Sequence, residues 1–239
     1  MVDRSSLTDQ TASALVDYIR GHGLVEGDPL PPIDQISASL GVSRTVAREA
    51  VAELSAQGLL LRRQGSGTTV AVPGAAQLSR IFAMRSLVTD LGAPVVQEFR
   101  TAIELAAVRL AASRISDDEL DALKERLGDL ESARELADLF DADVAFHQAI
   151  ADASGNDLLR VALASLTPLL HEHRSATWDG WKRRGRDLRE GVAQHRRIFE
   201  ALQQRDVDAA ITAMSDHLDQ ASSSIVAHGE SRRGPRAGD

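Results

Sequence analysis

The chain has 239 residues, 43% of them hydrophobic and 26% charged, with no cysteine and a formal net charge of −8. That balance implies one or two globular domains with a real core, and rules out disulfides and thiolate metal sites. No apolar run approaches the roughly 18 residues of a membrane span, and the opening MVDRSSLTDQ lacks the basic start and apolar stretch of a secretion signal, so a cytoplasmic location without a membrane partner is expected. An acidic total argues against nucleic acid as a partner, and even residues 1–77 hold six Arg against eight Asp or Glu. The charge is unevenly placed, however. Between Leu40 and Val72, Arg44, Arg48, Arg62 and Arg63 are opposed only by Glu49 and Glu53, and local patches rather than totals meet phosphates.

Taken in chain order, Leu7 to Arg20 has helical apolar spacing and ends at Gly21-His22-Gly23. GLVEGDPLPP is a turn region. Ile33 to Leu40 is a short helix closed by Gly41, and Ser43 caps the next, which stops near Gly58. The β-prone runs LLLRRQ and TTVAV flank GSG at 65–67 as a hairpin. Helix, helix, turn, helix and hairpin form the order of a winged helix-turn-helix, here over 1–73, whose helix after the turn enters the major groove.

Pro73 to Gln77 is expected as a linker. Beyond it the chain shows no strand pattern, and helices are expected near 78–91, 94–113, 117–132, 135–153, 156–173, 186–204 and 206–227. Stretches such as EFRTAIELAAVRLAA carry one apolar stripe each, as in an antiparallel helical bundle spanning 78–228. The polar, Gly-rich residues 229–239 are expected to be a disordered tail. The fold class is therefore mainly α, with one small β-hairpin wing.

Arg44 and Arg48 lie one turn apart at the start of the helix after the turn. An arginine fork there can donate two hydrogen bonds to guanine O6 and N7. The bland alternative is a solvated surface helix with both arginines paired to Glu49 and Glu53. Helix order, the Gly41-Val42-Ser43 turn and the basic wing (Arg62, Arg63) favour DNA. LPPIDQISASLGVSRTVAREAVAELSAQGLL followed by GSGTTVA resembles the DNA-binding domain of the GntR family of bacterial transcription regulators over nearly its whole length. The resemblance implies operator contacts from Arg44 and Arg48, with Ser43 and Thr45 in the same VSRT stretch, Arg62 and Arg63 in the wing, and Gly65 as the wing glycine. One departure is plain: the family often has Arg where this chain has Asp34, so a family operator contact is absent or replaced.

In the helical half, DVAFHQAIADASGN places Asp143 and His147 on one helix face. His195 and His217 each sit in apolar surroundings on later helices. A lone histidine of this kind is usually a hydrogen-bonded core residue. Three of them with an aligned aspartate form a set that binds a divalent transition metal, zinc or nickel. Residues 78–227 resemble the all-helical FCD ligand-binding domain of FadR-type regulators, whose metal-binding members carry this same set. That resemblance implies a small carboxylate effector completing the coordination, with lactate-type, citrate-like and sugar acids all found in the family and the lactate-responsive type nearest. It also implies that Arg100 clamps the effector carboxylate; the alternative is a surface ion pair between Arg100 and Glu104. The expected protein is thus a homodimer on a palindromic operator. A regulator with a purely structural metal is the alternative. A metal-dependent hydrolase is disfavoured because HExxH, P-loop and GxSxG motifs are all absent.

Overall fold

Ser6 starts the first helix with a capping box: its hydroxyl accepts from the Asp9 N–H while the Asp9 carboxylate accepts from its own N–H. The computed structural model describes residues 6–63, 67–89, 91–183 and 188–232, and contacts divide the chain into two compact units, Met1–Gln77 and Leu78–Asp239. The first holds α1 (Leu7–Gly21), α2 (Ile33–Leu40), α3 (Arg44–Ala56), β1 (Leu60–Arg63) and β2 (Gly67–Val70). Between α2 and α3 there are only Gly41, Val42 and Ser43. Gly41 ends α2 at a φ of 66°, in the left-handed region, and the Ser43 hydroxyl accepts from the Val46 N–H to start α3. That short, chirally demanding link is what lets α3 cross α2 and still share one core. Leu15, Ile19, Ile36, Val51, Leu54, Leu60 and Val70 build it.

The strands pair antiparallel, Leu60 opposite Val70 and Arg63 opposite Gly67. A third segment, read from the sequence only as a turn, lies along the other edge of β2. Leu30 N–H donates to Thr68 O and Val70 N–H to Asp28 O, each at 2.8 Å, around a Pro29–Thr69 bridge. Pro29 is tolerated because its neighbours supply the ladder bonds.

Every described element after Gln77 is a helix: the remainder of α4 (Ala75–Val88), then α5 (Ala93–Arg114), α6 (Asp117–Ser132), α7 (Leu136–Ala153), α8 (Asp157–Arg183), α9 (Leu188–Gln203) and α10 (Val207–Arg232). Helix α4 begins inside the stretch expected as a linker, because Ala75, Ala76 and Gln77 are good helix formers and the Gln77 side chain accepts from the Gly74 N–H. Helix α8 runs ten residues beyond the expected His173, through Gly180, and α10 continues past Gly229 to Arg232. Between α9 and α10, Arg205 takes a φ of 54°; its guanidinium donates to Ile115 O and holds Asp117, and Asp206 caps α10.

Helix α5 is the hub of this unit, packing against α7, α8, α9 and α10. Its Val108, Ala111 and Ala112 join Phe146, Ile150, Ile198, Leu202, Met214 and Leu218 in one core, while Val96, Ile103 and Ala107 join Leu163, Leu166 and Leu170 in another. Replacing Gly41 with Ala will cost about 1–2 kcal/mol from its left-handed backbone. Gly128→Ala, in mid-α6 with no atom within 4 Å of the added methyl, will stabilise by about 0.5–1 kcal/mol. Thermal unfolding of the two variants will move in opposite directions.

Candidate functional site

Helices α7, α9 and α10 each use their buried stripe to carry one or two polar groups. On α7, Asp143 and His147 replace apolar residues in the stripe of Leu139, Phe146 and Ile150; on α9, His195 precedes Ile198 and Phe199; on α10, His217 follows Met214. All four are buried. Their ligand atoms lie within 4.8 Å of one another. His147 Nε2 is 3.1 Å from His217 Nε2, and His195 Nε2 is 3.1 Å from Asp143 Oδ1. Two ligands on a tetrahedral ion with bonds of about 2.0–2.1 Å sit roughly 3.3 Å apart, so the spacing suits zinc.

The opposite ring nitrogens decide the tautomers. His195 Nδ1 lies 2.7 Å from Gly191 O, His217 Nδ1 lies 3.1 Å from Gln194 Oε1, and His147 Nδ1 meets a Glu104 oxygen. Each Nδ1 faces an acceptor, which favours the proton there and a lone pair on Nε2 turned to the centre. Two such lone pairs at 3.1 Å repel unless a cation lies between them. Phe146 packs edge-on against both His147 and His195, fixing ring orientation. Burial pulls the His147 imidazole below its ordinary value against the pull of Glu104, which favours the neutral form that can ligate.

Arg100 is neither exposed nor idle: at 1% exposure it is paired with equally buried Glu104 one turn away on α5. The pair weighed from the sequence exists, but in the interior rather than at the surface. Burial alone would raise the Glu104 carboxyl, yet Arg100 and His147 outweigh it and hold the group at about 2. Arg100, Glu104, Asp143 and His147 line one cavity of about 10 Å³ with Gln148 and Thr167, room for about one water.

In the first unit, Arg44, Thr45 and Arg48 are exposed on α3, and Arg62 and Arg63 on β1. The Ser43 hydroxyl is already engaged as the α3 cap. Gly65 lies outside the described residues. Neither glutamate pairs with an arginine of α3: Glu49 accepts from Thr8 and Glu53 from Gln57. Arg44 instead forms a two-pronged ion pair with Asp34 of α2. The hydrogen bond from Arg44 and its charge lower the Asp34 carboxyl, and Asp34 raises the Arg44 guanidinium in turn.

These geometries agree with what the chain is similar to. The family of bacterial regulatory proteins, gntR family, matches residues 7–70, and the FCD domain family matches 96–220. The HTH-type transcriptional regulator LutR of Bacillus subtilis is 32% identical over 84% of this chain and 92% of its own length. The HTH-type transcriptional repressor NanR of Cronobacter sakazakii is 28% identical over 90% and 84% respectively. The solved Streptococcus agalactiae GntR superposes with a TM-score of 0.64 at 25% identity, over 90% of this chain and 99% of that one. The chain belongs to the FCD-bearing, FadR-type branch of the GntR family. Its relatives are transcription regulators, not enzymes.

In this GntR chain the sequence reading gathers the four residues that the fold brings together but misses what supports them. Glu104 enters only as a surface partner of Arg100, although Gln97, Arg100 and Glu104 together interrupt the apolar face of α5, a legible signal of buried polar work. Gln194 adjoins His195 in sequence yet serves His217; only packing reveals that. The Asp34–Arg44 pair joins two helices across the turn and has no sequence signature beyond opposite charge. Protein purified and loaded with zinc will hold one ion per chain by elemental analysis, and His195→Ala, which removes one of three imidazoles, will release it to a mild chelator while the parent retains it.

Proposed function

We propose that this regulator works in the cytoplasm as a homodimer on a near-palindromic operator. Its hold on DNA shifts when a small carboxylate, a hydroxy acid such as lactate, joins a divalent ion in the helical domain. The observation that carries the reading is the convergence of four buried ligand atoms, two of whose residues, Asp143 and His147, share a cavity with the buried Arg100. Asp143, His147, His195 and His217 would hold zinc or nickel, and the ion would supply a cationic anchor for an oxygen of the guest. Arg100 supplies the second fixed point, and two points give selectivity that one ion lacks.

On the DNA side the reading assigns 1–73 to the winged domain and 78–228 to the effector domain. Arg48 and Arg44 read base edges, Thr45 and Ser43 approach the backbone, and Arg62, Arg63 and Gly65 form the wing contact. Large apolar side chains left exposed along α4, Ile81, Met84 and Val88, support a second copy as partner, since such stripes mark protein contacts. Two-fold symmetry then requires two half-sites. A ligand alters operator affinity only by binding the two states unequally.

The small cavity also supports a second reading, in which the ion merely ties α7, α9 and α10 together. The two differ in a melting experiment. A guest at 100 times its dissociation constant stabilises by about 2.7 kcal/mol, so zinc-loaded protein titrated with L-lactate and other small carboxylates will show a rise in Tm. Arg100→Lys keeps a cation against Glu104 but lacks the fork, and will lose most of that rise while retaining zinc. If no carboxylate shifts the parent, the ion is structural. For DNA, Arg48→Ala and Arg44→Ala will each weaken binding to an operator selected from random duplexes by about 1–3 kcal/mol at fixed salt. Unchanged affinity in both would remove α3 from the major groove.

A further inference from the structure

Helix α5 carries Arg100 and Glu104 one turn apart, and the fold sinks both to 1% exposure. Stability alone does not account for them. The favourable helical order places the acid before the base, and here the base comes first. A buried ion pair is also often no more stable than apolar residues of the same volume. What distinguishes Glu104 is the division of its two oxygens: one holds Arg100 Nε, the other holds Nδ1 of His147 on α7. His147 turns its other nitrogen to His217 and Asp143. Among the described residues, only Nε of the Arg100 guanidinium is engaged, and Arg100 lines the same cavity as Asp143 and His147.

We propose that Glu104 is the positioning residue that joins the two halves of this site, orienting a metal-ligating imidazole with one oxygen and the effector-gripping guanidinium with the other. This rests on the metal and carboxylate reading above. By accepting the Nδ1 proton, Glu104 keeps His147 in the tautomer whose Nε2 lone pair faces the ion. By accepting from Arg100 Nε, it leaves the Nη edge of the fork for a guest carboxylate. One carboxylate serving both partners makes the two ends mechanically dependent: a change at either one moves the shared group. A glutamine of the same shape has a single acceptor and satisfies only one partner at a time.

The test compares the full-length parent with Glu104→Gln and Glu104→Ala, using zinc alone as the probe. Competition against a chromophoric chelator gives affinity, and long-range proton–nitrogen NMR on histidine-labelled protein gives tautomers. Glu104→Ala will weaken zinc binding about 10–100-fold, and Glu104→Gln will fall between it and the parent. In metal-free protein, the His147 signal will be Nδ1–H in the parent and shift toward Nε2–H in Glu104→Ala, which loss of packing alone would not cause. Should the alanine variant fail to fold, the glutamine variant and the parent's own tautomer decide the matter. Equal zinc affinity in parent and variants, or a parent His147 protonated on Nε2, overturns the assignment while leaving the metal reading intact. A parent that takes up no zinc overturns both.

Discussion

Three imidazoles and a carboxylate brought to one buried point set the constraint on which the helical unit depends. Burying polar groups is costly unless each is partnered, and here the partners come in two layers. Glu104, Gly191 O and Gln194 occupy the outer ring nitrogens, which aims the inner ones at each other. Lone pairs so aimed need a positive centre. An ion held there would convert mutual repulsion into a cross-link among three helices.

That arrangement makes the bundle a natural place for regulation. The interior of α5 is divided between two apolar cores, and the Arg100–Glu104 pair sits on the same helix, at the cavity edge. A guest that recruits the guanidinium changes the electrostatics of a region where the dielectric is low and each contact is strong. Close-packed helices respond to such a change by shifting between discrete packings rather than deforming smoothly.

The winged unit shows a different economy of charge. Its net charge is not basic, and its arginines on α3 and β1 are exposed. Asp34 of α2 holds Arg44 of α3 in an ion pair. An exposed pair of this kind contributes little to stability; its consequence is geometric, because an arginine held by its fork is presented in one orientation.

What the sequence by itself determined was local. Ser6, Ser43 and Ser116 mark helix starts because their hydroxyls cap N–H groups within three residues, and Gly41 marks a helix end because its backbone must turn left-handed. Periodicity of apolar residues announced the bundle, and Asp143 and His147 one turn apart announced half of a ligand set. The extent of α8 escaped: the helix expected to end near His173 runs on to Arg183. Only the tertiary structure decided that Glu104 joins Arg100 to His147, that Gln194 orients His217, and that Asp34 holds Arg44. The Glu104–His147, Gln194–His217 and Asp34–Arg44 contacts each link different helices through side chains whose reach and burial depend on packing. Short-range chemistry is written in spacing along the chain, whereas a shared carboxylate in a core exists only after the helices have met.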